Sequence, residues 1–195
     1  VYHSHVLEHI PPDQAAAFIS ECRRVLAPGG VLRIAVPDLE GIARAYLRQL
    51  DAGDHVKHEW MVFELVDQIA RNHSGGRMME YWKQNPMPAE AFVYERLGRE
   101  VRQFVEKWRA APAEAPPPSQ SPAEIGRFRL SGETHQWMYD RFSLARLLSD
   151  AGFTNIRVCT ATESAIPGFA RYELDADASG QVRKPDSLFM EATQP

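Results

Sequence analysis

The stretch Ala27-Pro28-Gly29-Gly30, followed by Val31-Leu32-Arg33-Ile34-Ala35-Val36 and then Pro37-Asp38, constrains the fold more than any other part of the chain. Proline withholds an amide donor and glycine accepts a left-handed backbone, so a helix stops there. The run behind the stop is too short for a helix and is apolar everywhere except Arg33. That pattern predicts a strand covered on both faces, as in a parallel sheet flanked by helices. Upstream, Asp13 to Leu26 carries Phe18, Ile19, Cys22, Val25 and Leu26 on one helical stripe, and Val1 to Leu7 reads as a strand end before Pro11-Pro12. Strand, helix, strand over residues 1–36 is one crossover of a doubly wound α/β sheet. Ligands of such sheets gather beyond the carboxyl ends of the strands, which places Ser4 to His9 and Pro37 to Glu40 at the candidate site.

Helical periodicity dominates the next part of the chain, over Leu39 to Leu50, about Lys57 to Arg71, and about Pro88 to Ala110. In the last of these Val93, Leu97, Val101, Phe104, Val105 and Trp108 recur on one face. Residues 39–110 therefore read as an inserted helical block that caps a reaction site, packs a core or forms a dimer interface. Residues 110–126 are rich in proline and poor in large apolar side chains, and predict a mobile or extended loop. Order resumes around Phe128 to Leu130. Asp140 is placed to cap a helix over Arg141 to Asp150, with Gly152 as its terminator. Asn155 to Thr160 and Ser187 to Thr193 read as two further strands, separated by the loop-rich Pro167 to Pro185.

Composition narrows the partners. The chain has 195 residues, with 22 Lys+Arg against 26 Asp+Glu and a formal charge of −4. A chain of this size buries roughly 70% of its unfolded surface, enough for a core without staples. Mild acidity supplies no general attraction to phosphate backbones or anionic lipid, so neither nucleic acid nor membrane is an expected partner. No apolar run approaches a membrane span, and the first residues lack the basic-then-apolar order of a signal peptide. Cys22 and Cys159 are too few for a disulfide framework and are expected to be free and buried. The expected compartment is the cytoplasm.

His5-Val6-Leu7-Glu8-His9 matches H-x-x-E-H, which on one helix presents two zinc ligands and a glutamate base. Position in the fold argues against that reading, because prolines follow directly and a strand precedes. The alternative is a polar rim at a strand end, with Glu8 paired and a histidine packed, and no metal is expected.

Tyr2-His3-Ser4-His5-Val6-Leu7-Glu8-His9-Ile10, taken with Cys22-Arg23-Arg24-Val25-Leu26-Ala27-Pro28-Gly29-Gly30-Val31-Leu32-Arg33-Ile34-Ala35-Val36-Pro37, resembles the fourth-strand to fifth-strand region of class I S-adenosylmethionine-dependent methyltransferases. The resemblance continues in Thr134 to Asp140, Leu147 to Phe153 and Lys184 to Ala192. It implies a Rossmann-like sheet of family order three-two-one-four-five-seven-six, of which this chain carries strands four, five, seven and six. The family's glycine-rich first turn and the acidic residue ending its second strand have no counterpart here. The chain is thus similar to the carboxyl-terminal portion of a methyltransferase domain, with residues 1–195 forming a partial domain. In the complete protein the resemblance implies methyl transfer from S-adenosylmethionine to a small-molecule acceptor, a sugar or cell-surface precursor. The chain itself is expected to bind that cofactor weakly or not at all. The other expectation is a noncatalytic accessory module on the same scaffold.

On this reading Ser4 and His5 are the cofactor contacts, the alternative for His5 being a rim hydrogen bond. His9 and His135 are the candidate bases, because imidazole titrates near neutrality, and His135 otherwise orients its loop. Asp38, Trp137 and Tyr139 are candidate acceptor contacts, against a helix cap for Asp38, core area for Trp137 and a loop anchor for Tyr139. A strand left at the sheet edge exposes unpaired backbone groups. A homodimer through that edge or the helical block is the expected assembly.

Overall fold

The computed structural model describes residues 1–110 and 120–195. Contacts divide the chain into a sheet unit, residues 1–41 with 136–195, and a helical unit, residues 42–135. The strands are β1 (Tyr2–Ser4), β2 (Val31–Pro37), β3 (Thr154–Cys159) and β4 (Ser187–Thr193). They form one mixed sheet in the order β1-β2-β4-β3. β1 runs parallel to β2, whereas β4 lies antiparallel to both β2 and β3. Helices α1 (Pro12–Arg24) and α8 (Arg141–Asp150) complete the unit, and the helix α2 (Leu39–Ala52) starts in it.

Alternation along β2 sorts its side chains between two environments. Leu32, Ile34 and Val36 join Leu7, Ile19, Leu144, Leu148, Leu188 and Met190 in one apolar core beneath α1 and α8. Asp140 caps α8 as expected. Its Oδ1 accepts the Phe142 and Ser143 amides at 3.0 and 2.7 Å, and Ser143 Oγ accepts the Asp140 amide at 3.0 Å. Such a reciprocal cap contributes about 1 kcal/mol.

Arg33 and Ala35 face the other way, and there the cover differs from the expected helix: it is the irregular segment from Ala161 to Val182. Arg33 supplies the reason. Its side chain is 0% exposed, and a buried guanidinium needs acceptors on every side. Nε donates to Asp175 Oδ2 at 2.6 Å, and Nη1 donates to Glu191 Oε1 at 2.9 Å and the Glu163 carbonyl at 2.8 Å. Nη2 donates to the Thr160 carbonyl at 2.9 Å. The Phe169 ring centroid lies 4.6 Å from the guanidinium carbon, adding a cation–π contact. A helix has its carbonyls committed internally and cannot offer this set. Burial alone would raise the Glu191 carboxyl, but donors from Ser164, Ala165, Arg157 and Arg33 outweigh it and hold the group below the ordinary glutamate range. Cys22 and Cys159 are free and buried.

In the helical unit, α3 (His55–Ala70) matches the predicted second helix, and α4 (Gly76–Trp82) lies where none was predicted. The single predicted helix over 88–110 is two, α5 (Glu90–Leu97) and α6 (Arg99–Arg109). Gly98 between them has φ 84°, a conformation that ends a helix. Val93, Leu97 and Val105 of the predicted stripe are buried, while Phe104 is 43% exposed. They share the unit with Trp60, whose ring centroid is 5.3 Å from that of Tyr81, and with the Arg96–Glu64 pair at 2.6 Å. The predicted loop over 110–126 also needs correction. Its residues 111–119 lie outside the described residues, but 122–126 belong to the helix α7 (Pro122–Arg129). Ser121 and Glu124 close a capping box there, and Pro122 takes the first helical position, where no amide is needed. No helix among the described residues is long and apolar enough to cross a membrane.

Replacing Arg33 by Met leaves Asp175 buried without its cation and removes one of the two arginines paired with Glu191, and is expected to cost about 3–5 kcal/mol of stability in urea denaturation. A loss below about 1 kcal/mol would show that the irregular segment does not depend on the guanidinium.

Candidate functional site

Residues at the carboxyl ends of β1 and β2 converge within the sheet unit. β1 stops at Ser4 because His5 takes φ 53°, and its amide still donates to the Ala35 carbonyl at 2.9 Å. A residue with a β-carbon is seldom left-handed, and this one turns the chain off the sheet. Leu7–His9 then form one turn of 3₁₀ helix. The H-x-x-E-H residues therefore span a bend and a single tight turn instead of one face of an α-helix. Val1 to Leu7 is a strand only over Tyr2–Ser4.

The turn sends Leu7 into the core and buries Glu8 completely. His5 Nδ1 stands 3.2 Å from Glu8 Oε1, and His9 Nε2 stands 3.9 Å from the same oxygen. On its other side, His5 Nε2 is 2.9 Å from Ser187 Oγ at the start of β4. The Glu8 carbonyl accepts the amides of Gln136 and Trp137 at 2.7 and 3.2 Å, which fastens the segment before α8 to this turn. Tyr139 is buried in the apolar core, and its carbonyl accepts the Leu39 amide at 3.0 Å next to an Asp38–Tyr139 bridge. Burial, with the nearby Glu8 charge, raises the Tyr139 phenol. The Asp38 carboxylate lies over the first turn of α2, so near Gly41 that a β-carbon there would come within 2.6 Å of Oδ2.

The structure thus gathers Ser4, His5, His9, Asp38 and Tyr139 in the sheet unit. Trp137 belongs to the same unit and is half exposed. His135 is a buried residue of the helical unit, and its amide donates to the Gln68 carbonyl at 3.0 Å. A separate recess of about 360 Å³ in the helical unit is lined by Val62, Phe63, Val66, Asp67, Arg71 and Arg77, and by none of the predicted site residues.

Two residues at the sheet end carried no sequence signal as site residues. Ser187 reaches His5 across 182 positions of chain. His3 was visible only as one residue of a strand. Its ring is buried and packs edge-on against Phe18 with centroids 5.2 Å apart, and neither ring nitrogen has a hydrogen-bond partner among the described residues. Burial pushes its pKa down to about 4, against the opposing pull of Glu8.

The unfolded chain takes up a proton at His3 near pH 6.5, which the folded chain refuses until about pH 4. This contribution to stability is therefore complete above pH 6.5 and is lost as pH falls toward 4, by an amount on the order of 3 kcal/mol. Urea denaturation of the protein and of His3→Phe between pH 7.5 and 4 is expected to show a flatter dependence in the variant, and equal slopes would contradict it. No protein-family model, curated protein or solved structure matches the chain.

Proposed function

We propose that this chain carries the fourth-to-seventh-strand portion of a class I S-adenosylmethionine-dependent methyltransferase, which in its complete form methylates a small-molecule acceptor. One observation supports the reading most. β4, last in sequence, inserts antiparallel between β2 and β3. The resulting order, β1-β2-β4-β3, is what the resemblance implies for strands four, five, seven and six. Clustering of Ser4, His5 and Asp38 at the carboxyl ends of β1 and β2 adds support, since ligands of doubly wound sheets sit there.

Bound S-adenosylmethionine would supply an electrophilic methyl group on a sulfonium. The residues present fit only part of that cofactor. Ser4 is half-buried at the end of β1, but the His5 ring is already engaged by Ser187 and Glu8. Among the described residues, no glycine-rich turn follows a strand to offer the close backbone approach that the methionine portion needs. No step of methyl transfer is therefore assigned to these side chains. The engaged His5 ring is also what favours the second reading, an accessory module on a methyltransferase scaffold.

The sheet edge bears on assembly. Arg33 and His5 amides bond to the Val1 and Ala35 carbonyls, so alternation turns the Tyr2 and Ser4 backbone groups away from β2. No strand among the described residues pairs with that side of β1. Such an edge supports a homodimer.

Three measurements test these statements. Titration calorimetry of the 195-residue chain with S-adenosylmethionine is expected to give no saturable binding below about 1 mM, an affinity near −4 kcal/mol; tight one-to-one binding overturns the weak-binding expectation. Ultraviolet crosslinking of methyl-labelled cofactor to the protein isolated from its source is expected to label it, with S-adenosylhomocysteine competing. Absence of labelling there overturns the methyltransferase reading. Sedimentation velocity is expected to show a dimer, and a monomer at all concentrations removes the edge as an interface.

A further inference from the structure

Three side chains at the end of β1 stand in a row that methyl transfer does not explain. Ser187 Oγ is 2.9 Å from His5 Nε2, and His5 Nδ1 is 3.2 Å from Glu8 Oε1. Opposite nitrogens of one ring make the two contacts. A proton leaving the hydroxyl enters at Nε2, and the positive charge it creates on the ring is faced by a carboxylate at Nδ1. Glu8 is the buried end of the row: its side chain is 0% exposed and that of His5 is 18%, and Ser187 is, like His5, half-buried. A carboxylate withdrawn from water attracts an imidazolium more strongly than one on the surface, because the medium around it is less polarisable.

The backbone holds the row in place. His5 is kept left-handed by its amide bond to Ala35, and Ser187 is paired with Pro37 at the head of β4. Residues anchored on strand ends keep their spacing better than residues on free loops. A left-handed residue with a β-carbon, here His5, is also a recurrent feature of functional sites.

We propose that Ser187 is a base-activated nucleophile, with His5 as its general base and Glu8 as the residue that positions and stabilises the charged ring, and that it cleaves small activated carboxylic esters. Ser187 Oγ bonds to the ester carbonyl carbon as its proton passes to His5 Nε2. The bond from that carbon to the leaving oxygen then breaks, and the departing alcohol takes the proton from Nε2. Water attacks the acyl-serine by the same route, releasing the carboxylic acid and returning the proton to Oγ. Ester and water are the only reactants. The activity is independent of any methyl donor and lies outside the function proposed above.

The test uses the whole chain, a fluorophosphonate–rhodamine probe with peptide mapping, and 4-nitrophenyl acetate hydrolysis. The probe is expected to form one adduct, at Ser187, and Ser187→Ala is expected to abolish both adduct and hydrolysis. His5→Gly accepts the left-handed backbone freely while deleting the base, and is expected to label about 100-fold more slowly. Free imidazole is expected to restore its labelling, which a merely structural histidine would not allow. His5→Asn provides the same comparison, since asparagine also tolerates that backbone. Glu8→Gln is expected to label about 10-fold more slowly at unchanged Tm, with partial recovery in Glu8→Asp. Absence of an adduct at Ser187, wild-type labelling in folded His5→Gly or His5→Asn, or failure of imidazole to restore His5→Gly overturns the proposal.

Discussion

Arg33 puts a full positive charge inside the sheet unit, and the unit is organised around neutralising it. A cation removed from water is tolerated only where carboxylates and carbonyls surround it. Asp175, Glu191 and the carbonyls of Thr160 and Glu163 come from three separate stretches of chain, so meeting that requirement pins the segment after β3 against β2 and β4. Tyr2 donates its hydroxyl to the same Asp175 at 2.7 Å, which ties β1 into the network. The face opposite α1 and α8 is therefore closed by polar matching. The face beneath those helices is closed by apolar area.

The two faces meet at the sheet end where the candidate residues lie. β1 is short because His5 bends away, and the bend lets Leu7 finish the core while Glu8 is buried beside the ring of His5. One 3₁₀ turn thus performs a packing task and an electrostatic one. The antiparallel entry of β4 delivers Ser187 to the same place. A parallel strand in that position would instead have brought its other terminus there.

Most of the framework was legible because its signals are local. Pro28-Gly29-Gly30 signalled that the first helix could not continue, and α1 stops just before them at Arg24, while Asp140 announced α8 through a cap that closes within three residues. The uniform apolarity of β2 indicated cover on both faces, although not that one cover would be irregular. The misses have equally specific causes. Gly98 reads as tolerable within a helical stripe, yet its positive φ divides that helix in two. α4 was invisible because Asp67 organises its start, accepting the Arg77 amide at 2.7 Å, and a single distant carboxylate leaves no periodicity. α7 sat beside a proline-rich run, and composition obscured the Ser121–Glu124 capping box. Among the candidate residues, strand-end logic pointed to Ser4, His5, His9 and Asp38, while Tyr139, Trp137 and His135 came from the resemblance over Thr134 to Asp140.

The sequence by itself determined that α1, β2, α2, α3 and α8 form, and which side of β2 and of α8 carries apolar residues to a core. Those choices depend on dihedral preferences, amide donors and periodicity within about one helical turn. Only the tertiary structure decided that Arg33 would find its acceptors, that His3 would be buried without a hydrogen-bond partner among the described residues, and that Ser187 would meet His5. These outcomes depend on which distant backbone is brought alongside β1 and β2. That follows from burying two unlike sheet faces at once, and no short window of sequence encodes it.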